Sequence, residues 1–292
     1  MQHKLATWAE SDPNRRFDRL LRLIADREWL AEAARIVLAS SGARTPGIDG
    51  MDKRRMQAGL DRHLADLRAN LLKGTSRPKP VKRIYIPKAN GKLRPLGIPT
   101  LTDRIVQRAM LMAMEPIWES DFHRLSYGFR PERSVHHAVR TVKLQLQDGT
   151  DTARGRWIIE GDLASYFDTS IVLFMASSEG VPQGGVLSPL LSNIMLHEFG
   201  AWLEAKYLNR KARKDRWAWN FGIQQGRPIT VRENRQWKPA IAYCRYADDF
   251  VVIAKGTKVH AEEIREECRA FLEDRLKLAL NMEKTHITHI DD

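Results

Sequence analysis

Two short acidic signals in this chain have the residue types and placement for metal chemistry. Asp162 stands at the end of an apolar run, Trp157 to Ile159. Asp248 and Asp249 close a second run, Ile241 to Tyr246, and are followed at once by Phe250-Val251-Val252-Ile253. Each acid would sit at a strand end, and the two sites meet if their strands are neighbours. Hard divalent cations prefer carboxylate oxygen, and a pair of them can activate an attacking hydroxyl while stabilising a leaving phosphate oxygen. Phosphoryl transfer of that kind needs positioning more than covalent catalysis. An isolated Asp-Asp pair is ordinarily a solvated turn, so the surrounding sequence decides its meaning. Successive strand side chains also point to opposite faces, so Asp248 and Asp249 can share a metal site only if the turn redirects one of them.

The elements that must carry these acids read as a mixture. From Asp12 to about Ser40, Leu20, Leu21, Ile24, Leu30, Ala34 and Val37 recur at helical spacing, and a second amphipathic helix spans roughly Lys53 to Leu72 after a Thr45–Gly50 loop. Lys82–Ile86 and Lys92–Ile98 flank a Pro87–Gly91 turn and form a basic hairpin. Thr102-Asp103 caps a helix carrying Ile105, Val106, Ala109 and Met112; Pro131-Glu132 begins another, and Ser188-Pro189 a third, with Leu190, Leu191, Ile194 and Phe199. Strands and helices without regular alternation predict an α+β fold.

Composition bounds the partners. The formal net charge of +12 over 292 residues favours a polyanion, because phosphate binding releases condensed counterions. Between Lys206 and Lys238, ten lysines and arginines face two acids and interleave with Tyr207, Trp217, Trp219 and Trp237, a pattern suited to phosphates and unpaired bases. A solvated excursion with tryptophans packed beneath it is the competing reading. No apolar run resembles a signal peptide or a membrane span, which predicts a cytoplasmic protein with no membrane partner. Cys244 and Cys268 are the only cysteines, so neither a disulfide framework nor a cysteine zinc site is expected. The adjacent His136 and His137 lack the one-turn spacing that would direct two imidazoles to one ion.

Further motifs surround the acids in a fixed order. Thr45-Pro46-Gly47-Ile48-Asp49-Gly50, Ile86-Pro87-Lys88, Gly91 through Pro99 and Ser126-Tyr127-Gly128-Phe129-Arg130-Pro131 come first. Asp162-Leu163-Ala164-Ser165-Tyr166-Phe167-Asp168, Pro182-Gln183-Gly184-Gly185 and Tyr246-Ala247-Asp248-Asp249 follow. Over most of residues 45 to 290 the chain resembles the group II intron-encoded reverse transcriptases and maturases. That resemblance implies right-hand polymerase fingers and palm with a mainly antiparallel palm sheet. It divides the chain into a helical extension and start of the fingers (1–80), fingers (81–155) and a palm (156–292) with a basic excursion at 205–240.

The resemblance also assigns roles. Asp162, Asp248 and Asp249 become catalytic, holding two Mg2+ ions, with Mn2+ as a substitute, and the Leu163 carbonyl is a further metal ligand. Lys88, Arg94, Phe167, Gln183 and Gly184 become nucleotide-binding, with arginine as a planar fork and lysine as a point charge on triphosphate, and the Phe167 ring excluding a ribose 2'-hydroxyl. Lys284 becomes a general acid toward pyrophosphate, and Asp168 has no firm role. The implied partners are an RNA template or intron RNA, a DNA primer and dNTPs, and a homodimer is compatible with this. Only ten residues, Thr169 to Ser178, separate Asp168 from Glu179. This predicts a palm lacking a helix and adjoining segment, and an end soon after Lys284 predicts that the remaining palm strand and a thumb are missing. A maturase-like RNA-binding splicing factor and an inactive partial enzyme are the alternative functions.

Overall fold

The computed structural model describes residues 1–87, 91, 93–147, 156–163, 166, 184–208, 217–224, 227–234 and 239–292, the two segments 217–224 and 227–234 as backbone only. The chain divides into two compact units, Met1–Phe122 with Phe167–Ser192, and His123–Tyr166 with Asn193–Asp292.

The first unit is a helical core with one hairpin. Helix α1 (Gln2–Ser11) buries Leu5 and Ala9, and precedes the helical span expected from Asp12. That span is itself broken into α2 (Leu20–Ile24) and α3 (Arg27–Ala39). The Asp26 carboxylate ends the break by accepting from the Glu28 and Trp29 backbone N–H groups at the start of α3. Leu30, Ala33, Ala34, Val37 and Leu38 then line one face of α3. The next expected helix is two, α4 (Lys53–Ala58) and α5 (Leu60–Lys73), parted at Gly59. Gly74 ends α5 in the left-handed region at φ +68°, where glycine carries no steric cost.

Helix α6 (Leu101–Trp118) is capped by Thr100 and not by Thr102-Asp103: the Thr100 hydroxyl accepts from the Asp103 N–H at 3.1 Å and donates to its carboxylate at 2.6 Å. Thr102 lies inside the first turn instead. Trp29 Nε1 donates to the Ala109 carbonyl at 2.9 Å, joining α3 to α6 across a core of Leu30, Leu64, Leu67, Leu101 and Ile105. Arg104, 9% exposed, donates to the carbonyls of Pro99, Gly42 and Thr45, fixing the loop that contains Asp49. Asp49 is a turn residue, accepting from the Met51 N–H. Strands β1 (Lys82–Pro87) and β2 (Leu93–Ile98) form the expected antiparallel hairpin, Ile84 opposite Leu96.

The second unit is built on a sheet. Helix α7 (Val135–Gln147) begins after the expected start at Pro131-Glu132, and Glu132 stands at φ +57° in a preceding turn. Strand β3 (Arg156–Gly161) follows, and α8 (Ser188–Leu203) begins at Ser188-Pro189 as expected. The basic excursion contains an antiparallel hairpin, β4 (Trp217–Gln224) and β5 (Arg227–Asn234). Strands β6 (Ala240–Tyr246) and β7 (Asp249–Lys255), helix α9 (Lys258–Leu276) and strand β8 (His286–His289) complete the unit. Thr257 caps α9 with a reciprocal bond to His260.

The four-stranded sheet has the order β6-β7-β3-β8, antiparallel throughout. Strand β8 corrects the expectation that the chain ends before the remaining palm strand: Ile287 lies opposite Ile159 on the sheet edge. It escapes sequence reading because four residues, His-Ile-Thr-His, give almost no apolar alternation. On one side of the sheet Tyr243, Phe250 and Phe271 gather around Phe199, with centroid separations of 5.0 to 6.1 Å. Cys244 and Cys268 are buried and unbridged, and burial pushes the Cys244 thiol up to about 11. His136 and His137 are exposed on α7.

Candidate functional site

The β6–β7 hairpin turns through two residues, Ala247 and Asp248, with Tyr246 opposite Asp249 as its last pair. Ala247 holds φ at +57°. That left-handed backbone costs an alanine roughly 1–2 kcal/mol and turns the chain tightly enough to free Asp248 from strand alternation. Asp248 therefore lies in the turn and Asp249 begins β7, so strict strand alternation does not govern the pair.

Register brings the third acid alongside. In the antiparallel pairing of β3 with β7, Gly161 lies opposite Phe250, so Asp162 follows as the neighbour of Asp249. Gly161 has to be glycine: the Phe250 ring crosses it, and an added Cβ would stand 2.2 Å from that ring. Phe250 in turn packs edge-on against Phe199 at 5.0 Å. A glycine and a core aromatic therefore set where Asp162 ends.

The three carboxylates feel one another. Partial desolvation is the largest influence on Asp249 and raises its pKa, and Asp248 and then Asp162 raise it further, while Lys284 opposes them. Lys284 Nζ sits 2.9 Å from Asp162 Oδ2, and the hydrogen bond to Asp162 holds the lysine above its ordinary value. Asn281 donates to the same Oδ2 from its side chain at 3.1 Å, and its backbone N–H donates to the Asp162 carbonyl at 2.8 Å. Leu163 bridges to Leu280, and that backbone bond uses the Asp162 carbonyl, not Leu163's own. Among the described residues no three carboxylate, imidazole or thiol groups converge on a single coordination point. The donors are hard oxygens suited to Mg2+ or Mn2+, with one ammonium already resting on Asp162.

Of the residues expected to bind nucleotide, Arg94 is exposed on β2 and Gly184 lies in the first unit, described apart from the acids. Gly184, at φ +113°, approaches β2 so closely that a Cβ would lie 2.6 Å from the Gly97 carbonyl, a packing reason for glycine there. The nearby Val186 N–H donates to Gln107 Oε1 at 2.8 Å. Lys88, Phe167, Asp168 and Gln183 lie outside the described residues, as do the side chains of β4 and β5. Sequence reading missed Gly161, Asn281 and Arg245. A glycine directly before a strand-end acid was the one local signal available. Among the described residues no helix is long and apolar enough to cross a membrane.

Residues 86–170 and 174–291 match the family described as reverse transcriptase (RNA-dependent DNA polymerase). Protein YkfC of Escherichia coli is 63% identical over 324 aligned positions, covering all of this chain and 85% of that protein. The alignment is longer than the 292 residues present here, and the break in the family match falls within Thr169–Ser178. Group II intron-encoded protein LtrA of Lactococcus lactis is 30% identical, over 94% of this chain and 55% of its own length. A putative COX1/OXI3 intron 2 protein of Saccharomyces cerevisiae is 25% identical, over 93% of this chain and 37% of its own length. The chain thus spans only about half, or less, of the two intron proteins.

Proposed function

Since the chain belongs to the reverse transcriptase family, on the branch of the group II intron-encoded reverse transcriptases and maturases, we propose that its second unit carries a two-metal site. This site would add deoxynucleotides to a primer on an RNA template. The observation that supports this best is that Asp162, Asp248 and Asp249 stand near one another at one sheet end, where the first two each raise the pKa of the third. Asp162 and Asp248 would hold the ions, with Asp249 assisting and the Leu163 carbonyl as a further ligand. Bound Mg2+ would supply activation of the primer hydroxyl and charge neutralisation on phosphate. The residues' own task is placement: the Ala247–Asp248 turn and the Gly161–Phe250 contact hold the acids before substrate arrives, so little reorganisation remains in the reaction.

The remaining assignments follow the family pattern. By that pattern Lys88 and Arg94 would bind triphosphate, Gln183 and Gly184 would contact the nucleotide, and the Phe167 ring would exclude a ribose 2'-hydroxyl. Lys284, whose Nζ lies 2.9 Å from Asp162 Oδ2, would give a proton to departing pyrophosphate. The setting we propose is cytoplasmic. Primer extension on an RNA template with Mg2+ tests the reading. Wild-type extension that survives in both Asp162→Asn and Asp248→Asn would refute it. A second reading, RNA binding in support of intron folding, is favoured by the net charge of +12 and the cationic stretch from Lys206 to Lys238. It predicts intron-RNA affinity that falls steeply with salt and is indifferent to both aspartate substitutions.

A further inference from the structure

We infer that Arg245 is a positioning residue for the Asp248 turn, clamping Ala247 in its left-handed conformation from inside the protein. The inference rests on the reading of Asp248 as a metal ligand only for its consequence; the clamp itself is a matter of geometry. Arg245 lies on β6, two residues before Ala247, and is 2% exposed. Its Nη1 donates to the Ala247 carbonyl at 2.7 Å and to Asn193 Oδ1 at 3.1 Å, and its Nη2 donates to Ser126 Oγ at 2.6 Å. No carboxylate among the described residues pairs with it.

A buried guanidinium held by neutral oxygens alone is a poor device for stability. Well-packed apolar side chains of similar volume commonly stabilise a core as well or better. What an apolar chain lacks is a donor aimed at a carbonyl. Here that carbonyl belongs to the one residue of the hairpin with a positive φ, so the bond falls where the backbone most needs holding.

The rest of the network braces the same residue from the opposite direction. Asn193 accepts from Arg245 and passes the connection on, its Nδ2 donating to the Gly128 carbonyl at 2.8 Å. Gly128 lies flat against Ala247, so close that a Cβ on it would stand 2.2 Å from the Ala247 nitrogen. The backbone completes the frame: Arg245 N–H donates to the Leu125 carbonyl and Tyr127 N–H to the Arg245 carbonyl, both at 2.9 Å. Ala247 is thus pulled by Arg245 through its carbonyl and backed by Gly128 at its nitrogen. A planar fork reaches Ala247 and Ser126 from two separate nitrogens; a lysine's one nitrogen on a flexible stem cannot keep both contacts in that geometry.

The test uses the whole 292-residue chain, free of metal, and follows backbone hydrogen exchange over residues 246 to 250 beside urea unfolding. Arg245→Lys should leave the protein folded and speed exchange at the turn about tenfold, the loss expected for one charge-assisted hydrogen bond. Mn2+ affinity, read by electron paramagnetic resonance, should fall by a similar factor. Ala247→Gly placed in the Arg245→Lys background should restore most of that affinity, because glycine takes the left-handed conformation without a clamp. Unchanged exchange at the turn in folded Arg245→Lys would overturn the inference, as would failure of Ala247→Gly to restore a lowered affinity. If Arg245→Lys does not fold, Asn193→Ser removes one corner of the frame and must itself speed exchange at the turn, or the inference falls. Faster exchange in a protein whose wild type binds no Mn2+ would leave the clamp standing and remove the metal reading instead.

Discussion

Gly128→Ala puts the placement of the aspartate turn under direct load. The new methyl would lie 2.2 Å from the Ala247 nitrogen, 2.8 Å from its Cα and 3.0 Å from its Cβ. Two of these three atoms are backbone, so no side-chain rotation relieves the overlap, and the turn must retreat by about 1 Å to reach ordinary van der Waals distance. Overpacking of this kind costs roughly 1–3 kcal/mol of stability, and a shift of about 1 Å in a reacting group costs on the order of a hundredfold in rate. Urea unfolding and primer extension, measured on the same preparation, should therefore show a modest loss of stability beside a much larger loss of kcat, with template affinity nearly unchanged. Ala247→Gly should not rescue this variant, because the overlap with both backbone atoms remains. Equal losses in kcat and template affinity, or an unchanged kcat in a folded protein, would show that Gly128 does not set where Asp248 stands.

Asp248→Asn should abolish Mg2+-dependent extension while leaving RNA affinity within about twofold, since it removes one charge from a chain whose cations do the binding; a filter-binding titration beside the extension assay checks both. Lys284→Met should tighten Mn2+ binding by up to about fivefold, the range of an exposed ion pair that a metal must otherwise displace from Asp162, and weaker binding would mean the lysine assists the metal. Stability should fall as pH drops from about 7.5 to 5.5, because burial holds the His123 pKa below its ordinary 6.5 despite Glu204 at 3.2 Å. The unfolded chain then takes up the proton first. His123→Asn should flatten the slope of urea midpoint against pH, and an unaltered slope would assign it to other groups.

How much of this was legible in the sequence depended on how local each cause is. The aspartates, the β6 and β7 runs and the start of α8 at Ser188-Pro189 are written in adjacent residues, and the structure has them where the pattern put them. Asp248 escaping strand alternation was anticipated as a requirement, but the means, a left-handed Ala247, depends on packing that no short window contains. Arg245 carries no signal within the β6 run that marks it as a buried donor. Its partners Ser126 and Asn193 lie 119 and 52 residues away, so only the folded chain shows that both faces of β6 are covered. The two long helices read near the N-terminus failed for a smaller reason: periodicity continues across Ala25–Asp26 and Gly59, and the breaks come from a cap and a glycine that periodicity does not weigh.

The strand order β6-β7-β3-β8 also bears on how the chain comes to be folded at all. Of the paired strands only β6 and β7 are consecutive in sequence; β3, which ends at Gly161 just before Asp162, sits between two strands made much later. At ordinary synthesis rates of about 5–20 residues per second, β3 waits on the order of ten seconds for β7 to leave the ribosome. During that interval the apolar edge formed by Trp157, Ile158 and Ile159 has nothing to pair with, and closing such a long loop carries an entropic cost before any contact repays it. Folding of this unit is therefore expected to begin from the β6–β7 hairpin and recruit β3 afterwards. The acid that must stand beside Asp249 would be among the last parts of the sheet to arrive.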